Sequence, residues 1–227
     1  MNQPFYVAPE QLMKDRADYA RKGIARGRAL VAVQYRDGVA VVAENPSNTL
    51  RKVSEIYDRI AFAGVGKYNE FDQLRRFGVR NADIRGYQYS RDDVEARSLA
   101  NEYAQILGQT FTHDVKPFEV EILLVEVGLD RSGDQLFHIM YDGTLMDEQG
   151  LSVLGGDAEA IDQRLRTQWA ADDDLGAAIR KCVAALSGPD RKLSADDLEV
   201  AQLSRTNGRR CFERIADAEI AEILANS

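Results

Sequence analysis

The spacing of hydrophobic side chains changes along this chain, and the changes predict its secondary structure. Residues 9–26 carry a narrow apolar stripe at helical spacing with basic side chains elsewhere, which predicts a helix on the surface of the fold. Short apolar runs bounded by turn residues come next and predict strands. These predicted strands cover 29–35, 39–43, 52–57 and 59–65. Between the first two, Asp37-Gly38 predicts a tight turn with positive φ angles.

Two helices follow the first strands, and then the order repeats. The first helix begins near residue 67, and a capping box of Ser90 and Asp93 predicts the start of the second. A second set of strands is predicted at 118–129, 135–141, 144–146 and 151–154, before two further helices, two short strands and a final helix.

This order of elements favours the α+β class over a doubly wound parallel sheet, in which strands alternate with single helices. Two antiparallel sheets facing each other, with a helix pair on each outer face, would bury every apolar stripe. No linker interrupts the pattern. We therefore predict a single domain over 9–227, including the N-terminal helix at 9–26, preceded by a mobile segment at 1–8.

Composition narrows the class of protein. The chain has 227 residues, of which 44% are hydrophobic and 29% charged, and this balance is typical of a globular protein. Its net charge of −8 is unlike that of a general nucleic-acid binder, which normally has a basic face. No apolar run is long enough for a membrane helix, and the first residues lack the pattern of a secretory signal. We expect a cytoplasmic protein that contacts neither membrane nor nucleic acid. Cys182 and Cys211 are expected to be small core residues.

Candidate metal ligands do not form a convincing set. His113 and His138 lie far apart in sequence, with no cysteine or paired acid nearby. Residues 172–174 are three consecutive aspartates, but they come where a helix begins, so capping is the favoured role. We predict neither a metal nor a cofactor.

The start of the first strand has the surroundings of a catalytic site without a nucleophile. Enzymes that use an N-terminal residue as nucleophile need a free Thr, Ser or Cys there, because the α-amine acts as the base. Here Gly27-Arg28-Ala29 leads into the strand and a helix precedes it, while Glu44 and Lys52 follow on later strands. The pattern is that of a catalytic fold whose chemistry has been removed.

Several segments, in this order and spacing, resemble the proteasome core-particle family, and within it the α-subunits of actinobacteria. The similarity runs over essentially the whole chain and is carried by residues 8–11 (APEQ), 20–26 (ARKGIAR), 42–47 (VAENPS), 55–59 (EIYDR), 67–72 (KYNEFD), 74–76 (LRR) and 141–143 (YDG).

The resemblance implies the four-layer αββα sandwich of N-terminal nucleophile hydrolases. Catalytic β-subunits of this family use an N-terminal threonine, an acid on the second strand and a lysine on the third. In this chain the acid falls at Glu44 and the lysine at Lys52, but the nucleophile position falls near Arg28, which can neither attack nor accept a proton. The resemblance therefore implies a subunit with no catalytic residue, in a heptameric ring outside the catalytic β-subunits.

The same resemblance implies two functional sites. The N-terminal residues, here Phe5, Tyr6, Val7, Ala8 and Pro9, would close the axial pore of a ring of neighbouring α-subunits. Lys52 would line a pocket between such neighbours and pair with the terminal carboxylate in the C-terminal tail of a ring-shaped ATPase activator.

Other interpretations remain open from the residues themselves. Glu44 could be a relic or an ordinary surface charge, and Lys52 a solvated strand lysine. An active N-terminal nucleophile hydrolase could mature by removal of the first residues to about 28, but it would need a new terminal Thr, Ser or Cys, and the nearest, Ser47, falls in a loop. A ring-forming interaction protein without a protease partner is a third possibility.

Overall fold

The computed structural model describes residues 8–47 and 49–226. Within these ranges the helices and strands follow one another in the predicted order. They are α1 (Pro9–Ala25), β1 (Leu30–Tyr35), β2 (Gly38–Glu44), β3 (Val53–Tyr57), β4 (Ile60–Gly66), α2 (Tyr68–Gln88), α3 (Ala96–His113), β5 (Val120–Glu126), β6 (Gln135–Ile139), β7 (Leu145–Glu148), β8 (Leu151–Leu154), α4 (Ala158–Arg166), α5 (Leu175–Ser187), β9 (Leu198–Ser204), β10 (Phe212–Arg214) and α6 (Asp217–Ala225).

The strands form two five-stranded sheets in which every neighbouring pair is antiparallel. The strand orders are β10-β9-β2-β1-β8 and β3-β4-β5-β6-β7. The second predicted set of strands is therefore divided between the sheets. β8 follows β7 in sequence but pairs with β1, because this contact gives the backbone of β1 hydrogen-bond partners along its second edge.

Three hydrophobic clusters separate four layers. On β1, Leu30 and Ala32 face the space between the sheets, whereas Val31 and Val33 face α4 and α5, since successive side chains of a strand point to opposite faces. A third cluster joins the other sheet to α2 and α3. The predicted αββα sandwich is confirmed, and strands buried on both faces explain the apolar runs. Among the described helices, none is long and apolar enough to cross a membrane.

Helix α1 lies across the edge of the inter-sheet layer, as its narrow stripe predicts. Ala20 and Ile24 are buried in the inter-sheet cluster. One turn before Ala20 on the same side of the helix, the Arg16 guanidinium donates to the carbonyl oxygens of Phe111 at 2.6 Å and Thr110 at 3.1 Å, near the end of α3. The Phe111 carbonyl lies in the last turn, where a helix lacks internal donors. α1 is therefore attached to the body by apolar packing and by a cap on another helix.

Two local predictions are wrong in detail. Ser90 caps only a single 3-10 turn, accepting the Asp92 N–H at 3.3 Å. α3 begins later, at Ala96, because the backbone is extended at Val94, whose side chain is buried. At the first hairpin, neither Asp37 nor Gly38 has a positive φ. Gly38 is needed instead because a Cβ there would collide with the Leu203 carbonyl on β9.

The two cysteines are core residues, as expected. Both are fully buried free thiols, and burial raises the pKa of the Cys182 thiol to about 12. Because the thiolate is the reactive form, Cys182 should resist an aromatic disulfide reagent in the native protein and react fully in urea. Mass spectrometry of timed samples measures this. If Cys182 were labelled as fast in the native protein as in urea, its burial in the core would be contradicted.

Candidate functional site

The first strand begins at a point where both sheets contribute charged residues. Glu44 ends β2, and its backbone N–H donates to the Ala29 carbonyl at 3.0 Å, which places the acid beside the residues that lead into β1. Arg28 lies two residues before β1, and Lys52 lies immediately before β3 in the other sheet. The structure thus brings together the three residues singled out in the sequence.

Glu44 is a buried carboxylate held by two arginines. Glu44 is 3% exposed, and its carboxylate accepts hydrogen bonds from Arg28 Nη1 at 2.5 Å and from Arg191 Nη1 at 3.0 Å. A second nitrogen of Arg191 reaches the other oxygen at 3.2 Å. The interpretation of Glu44 as an ordinary surface charge is therefore wrong. The Arg28 guanidinium, which leads into β1, is always protonated and can neither attack a substrate nor accept a proton.

Lys52 is half-buried, and its ammonium is held close to the main chain. Nζ donates to the Arg28 carbonyl oxygen at 2.6 Å. Burial lowers the pKa of this ammonium to about 8, an effect that the carboxylates of Glu44 and Glu199 partly offset. At neutral pH the group stays mostly charged. An ammonium has three N–H donors, so Lys52 can also donate to a carboxylate while it keeps its contact with the Arg28 carbonyl.

Glu199, on β9, was not identified from the sequence, although it connects the two sheets at Lys52. It is 2% exposed and accepts from the backbone N–H of Lys52 at 2.8 Å and of Val53 at 3.2 Å. Asn45 Nδ2 donates to it at 2.7 Å, and Arg214 pairs with it. An acid within an apolar strand was the only available signal, because a charge is rarely buried without partners.

A cavity of about 500 Å³ lies beside this cluster. It is lined by arginines, glycines and the loop after α5, namely Gly27, Arg28, Ala29, Glu44, Gly156, Asp157, Ile161, Arg164, Leu186, Ser187, Gly188, Pro189, Asp190 and Arg191. Its guanidinium groups can bind an anionic group, and none of the described residues that line it is a histidine that could activate the Ser187 hydroxyl.

The predicted gate residues lie mostly outside the described ranges. This is the case for Phe5, Tyr6 and Val7. Ala8 directly precedes α1 and Pro9 is its first residue, where a missing N–H has no helical partner to lose. Both are exposed, so the predicted gate would continue from the exposed end of α1.

Other titratable residues are satisfied by structural contacts. His138 Nε2 lies 3.3 Å from a carboxylate oxygen of Glu121, and Asp174 accepts the Ala177 N–H at 2.7 Å at the start of α5. The predicted capping role in the aspartate run is confirmed. In the part of the chain that the structure describes, no group of three or more potential ligands is placed to hold a metal ion.

Comparison with known proteins gives consistent matches. The sequence profile of the family described as "Proteasome subunit" matches residues 24–203. The chain is similar to a protein named Proteasome subunit alpha from Acidimicrobium ferrooxidans, with 58% identity covering all of this chain and 97% of the relative. Proteins of the same name from Kineococcus radiotolerans and Thermomonospora curvata are each 53% identical to this chain. Each match covers at least 99% of this chain and of the relative.

Proposed function

Because this chain belongs to the proteasome subunit family, we propose that it is a non-catalytic α-type subunit of a bacterial proteasome core particle. In this proposal, copies of the chain form a heptameric outer ring on a ring of catalytic β-subunits in the cytoplasm. The ring controls which substrates reach the catalytic chamber and binds a ring-shaped ATPase activator.

The observation that carries the non-catalytic role is the Arg28–Glu44 contact at the start of β1. An N-terminal nucleophile requires Thr, Ser or Cys at that point, with a free amine. Processing to residue 28 would leave Ala29 at the terminus and would remove Ala20 and Ile24 from the core. An active hydrolase is therefore disfavoured. Peptide hydrolysis by the isolated chain, blocked by a threonine-directed electrophile, would contradict this assignment.

Activator docking is proposed at Lys52. The ammonium has donors left for a peptide carboxylate, and its backbone and side chain are both held in place. The neighbouring cavity of about 500 Å³ has room for further residues of a tail. A charge-assisted contact of this kind contributes roughly 1.5–3 kcal/mol when shielded from water, as a ring neighbour would provide.

Gating is proposed for the first eight residues. Phe5, Tyr6 and Val7 carry apolar groups and come shortly before α1 in the sequence. Copies converging on a ring axis would bury these side chains against one another, which a single copy cannot do. The attachment of α1 through Arg16 would keep each copy oriented.

Deletion of residues 1–8 tests the proposed function. In the assembled particle, hydrolysis of a short fluorogenic peptide should rise several-fold, because the pore would no longer be closed. A matched variant, Phe5→Ser/Tyr6→Ser/Val7→Ser, keeps the length but loses the apolar groups, and should show most of the same rise. The number of active catalytic threonines is measured in parallel. An unchanged rate per active threonine would remove the gate assignment.

A further inference from the structure

The backbone beside Lys52 is held by a buried carboxylate from the opposite sheet. Glu199 accepts the N–H groups of both Lys52 and Val53, at 2.8 Å and 3.2 Å. We infer that Glu199 is a positioning residue for Lys52, fixing its backbone and sustaining its positive charge for a peptide carboxylate. The inference rests on the docking role proposed for Lys52.

The partners of Glu199 also hold the backbone that leads into β3. Asn45 Nδ2 donates both to Glu199 and to the Leu50 carbonyl, each at 2.7 Å. Arg214 on β10 pairs with Glu199 and also donates to the Val53 carbonyl at 2.7 Å. The backbone is therefore held before Lys52 at Leu50, by Asn45, and after it at Val53, by Arg214, which leaves the lysine backbone little freedom.

The charges around Lys52 come from four elements. Glu44 on β2 and Glu199 on β9 favour the charged ammonium, while Arg28 before β1 opposes it. Arg214 on β10 pairs with Glu199 and reduces its negative field. Because burial already disfavours the ammonium, the loss of either carboxylate would shift Lys52 toward its neutral form. A neutral amine would bind a carboxylate poorly.

Glu199→Gln tests this in the assembled particle. Competitive acylation of Lys52 across pH, quantified by mass spectrometry, gives its titration midpoint. We expect the midpoint to fall below that of the wild type. Binding of a peptide with a free terminal carboxylate should weaken several-fold at about pH 8 and recover at about pH 6, where the lysine is again charged. A role in stability alone would give no such recovery.

Asp134→Asn is the matched control. Asp134 is also a fully buried carboxylate, paired with Arg205 at 2.7 Å, and its described partners Arg205, Gln34 and Gly128 do not include Lys52. Its variant should lose stability as Glu199→Gln does, without moving the Lys52 midpoint. Identical titration and binding profiles in the two variants would overturn this inference but would leave the docking proposal for Lys52 intact.

Arg214→Gln should shift the Lys52 titration midpoint in the opposite direction. This variant tests the inference if Glu199→Gln does not fold. Removing this cation leaves the Glu199 charge less compensated, so the Lys52 midpoint should rise. An unmoved or lowered midpoint would contradict the inference. If Lys52→Ala leaves binding of the peptide unchanged, the docking proposal itself fails, and the inference fails with it.

Discussion

Lys52→Ala should remove most of the stimulation that an ATPase activator gives to protein degradation. The ammonium is the proposed partner of the activator's terminal carboxylate, and it is held at the site by Arg28 and Glu199. Losing a shielded charge-assisted contact of roughly 1.5–3 kcal/mol weakens tail binding about 10- to 150-fold. The ratio of stimulated to basal degradation at a fixed activator concentration measures the effect.

Lys192→Ala is the control for this loss of charge. Lys192 is exposed and follows the cavity residue Arg191, so its removal changes the net charge of the same region without touching Lys52. Stimulation should stay near that of the wild type. Lys52→Arg should recover part of the binding, since it keeps the charge in a different shape. Full stimulation of the Lys52→Ala particle would exclude this residue as the docking group.

Asp134→Ala should cause the largest loss of stability. The Asp134 side chain is 0% exposed and pairs with Arg205, which is itself only 15% exposed, at 2.7 Å. It also accepts the Gly128 N–H at 2.9 Å. Removing one partner of a buried pair leaves an uncompensated charge and costs about 3–5 kcal/mol. With roughly 2–4 °C per kcal/mol for a chain of this size, Tm should fall by about 6–20 °C.

Asp172→Ala provides the comparison in calorimetry of the same purified chain. The Asp172 side chain is 88% exposed although it pairs with Arg131 at 2.7 Å, so solvent screens the contact and Tm should hardly change. A double variant, Asp134→Leu/Arg205→Met, should recover part of the stability because it removes both charges. Equal Tm values for Asp134→Ala and Asp172→Ala would show that the buried pair contributes little.

Local features were predictable where short-range spacing carries the information. The stripe of α1 identified Ala20 and Ile24 as buried, and the apolar face of α5 did the same for Cys182. Arg28, Glu44 and Lys52 were found by resemblance to a family, which aligned them with catalytic positions. Spacing alone would have left Lys52 as a solvated lysine.

The roles of Glu199 and Arg191 were not predictable. Arg191 pairs with Glu44 across 147 positions of sequence, and Glu199 accepts from Lys52 across the same separation. Nothing in the local pattern near residue 191 or 199 indicates which distant segment will arrive there. The start of α3 was misplaced for a related reason, since burial of Val94 in the core outweighed the capping signal at Ser90.

The sequence by itself determined the type and order of the elements and, through resemblance, the loss of a nucleophile. Periodicity reports which faces of a helix or strand avoid water, because that depends on residues a few positions apart. Only the tertiary structure decided which strand pairs with which, so that β8 joins β1 and β9 joins β2. It also decided that Glu44 pairs with Arg28 and Arg191, and Glu199 with Arg214. These choices depend on the free energy of packing and of pairing charges between distant segments, which no local pattern contains.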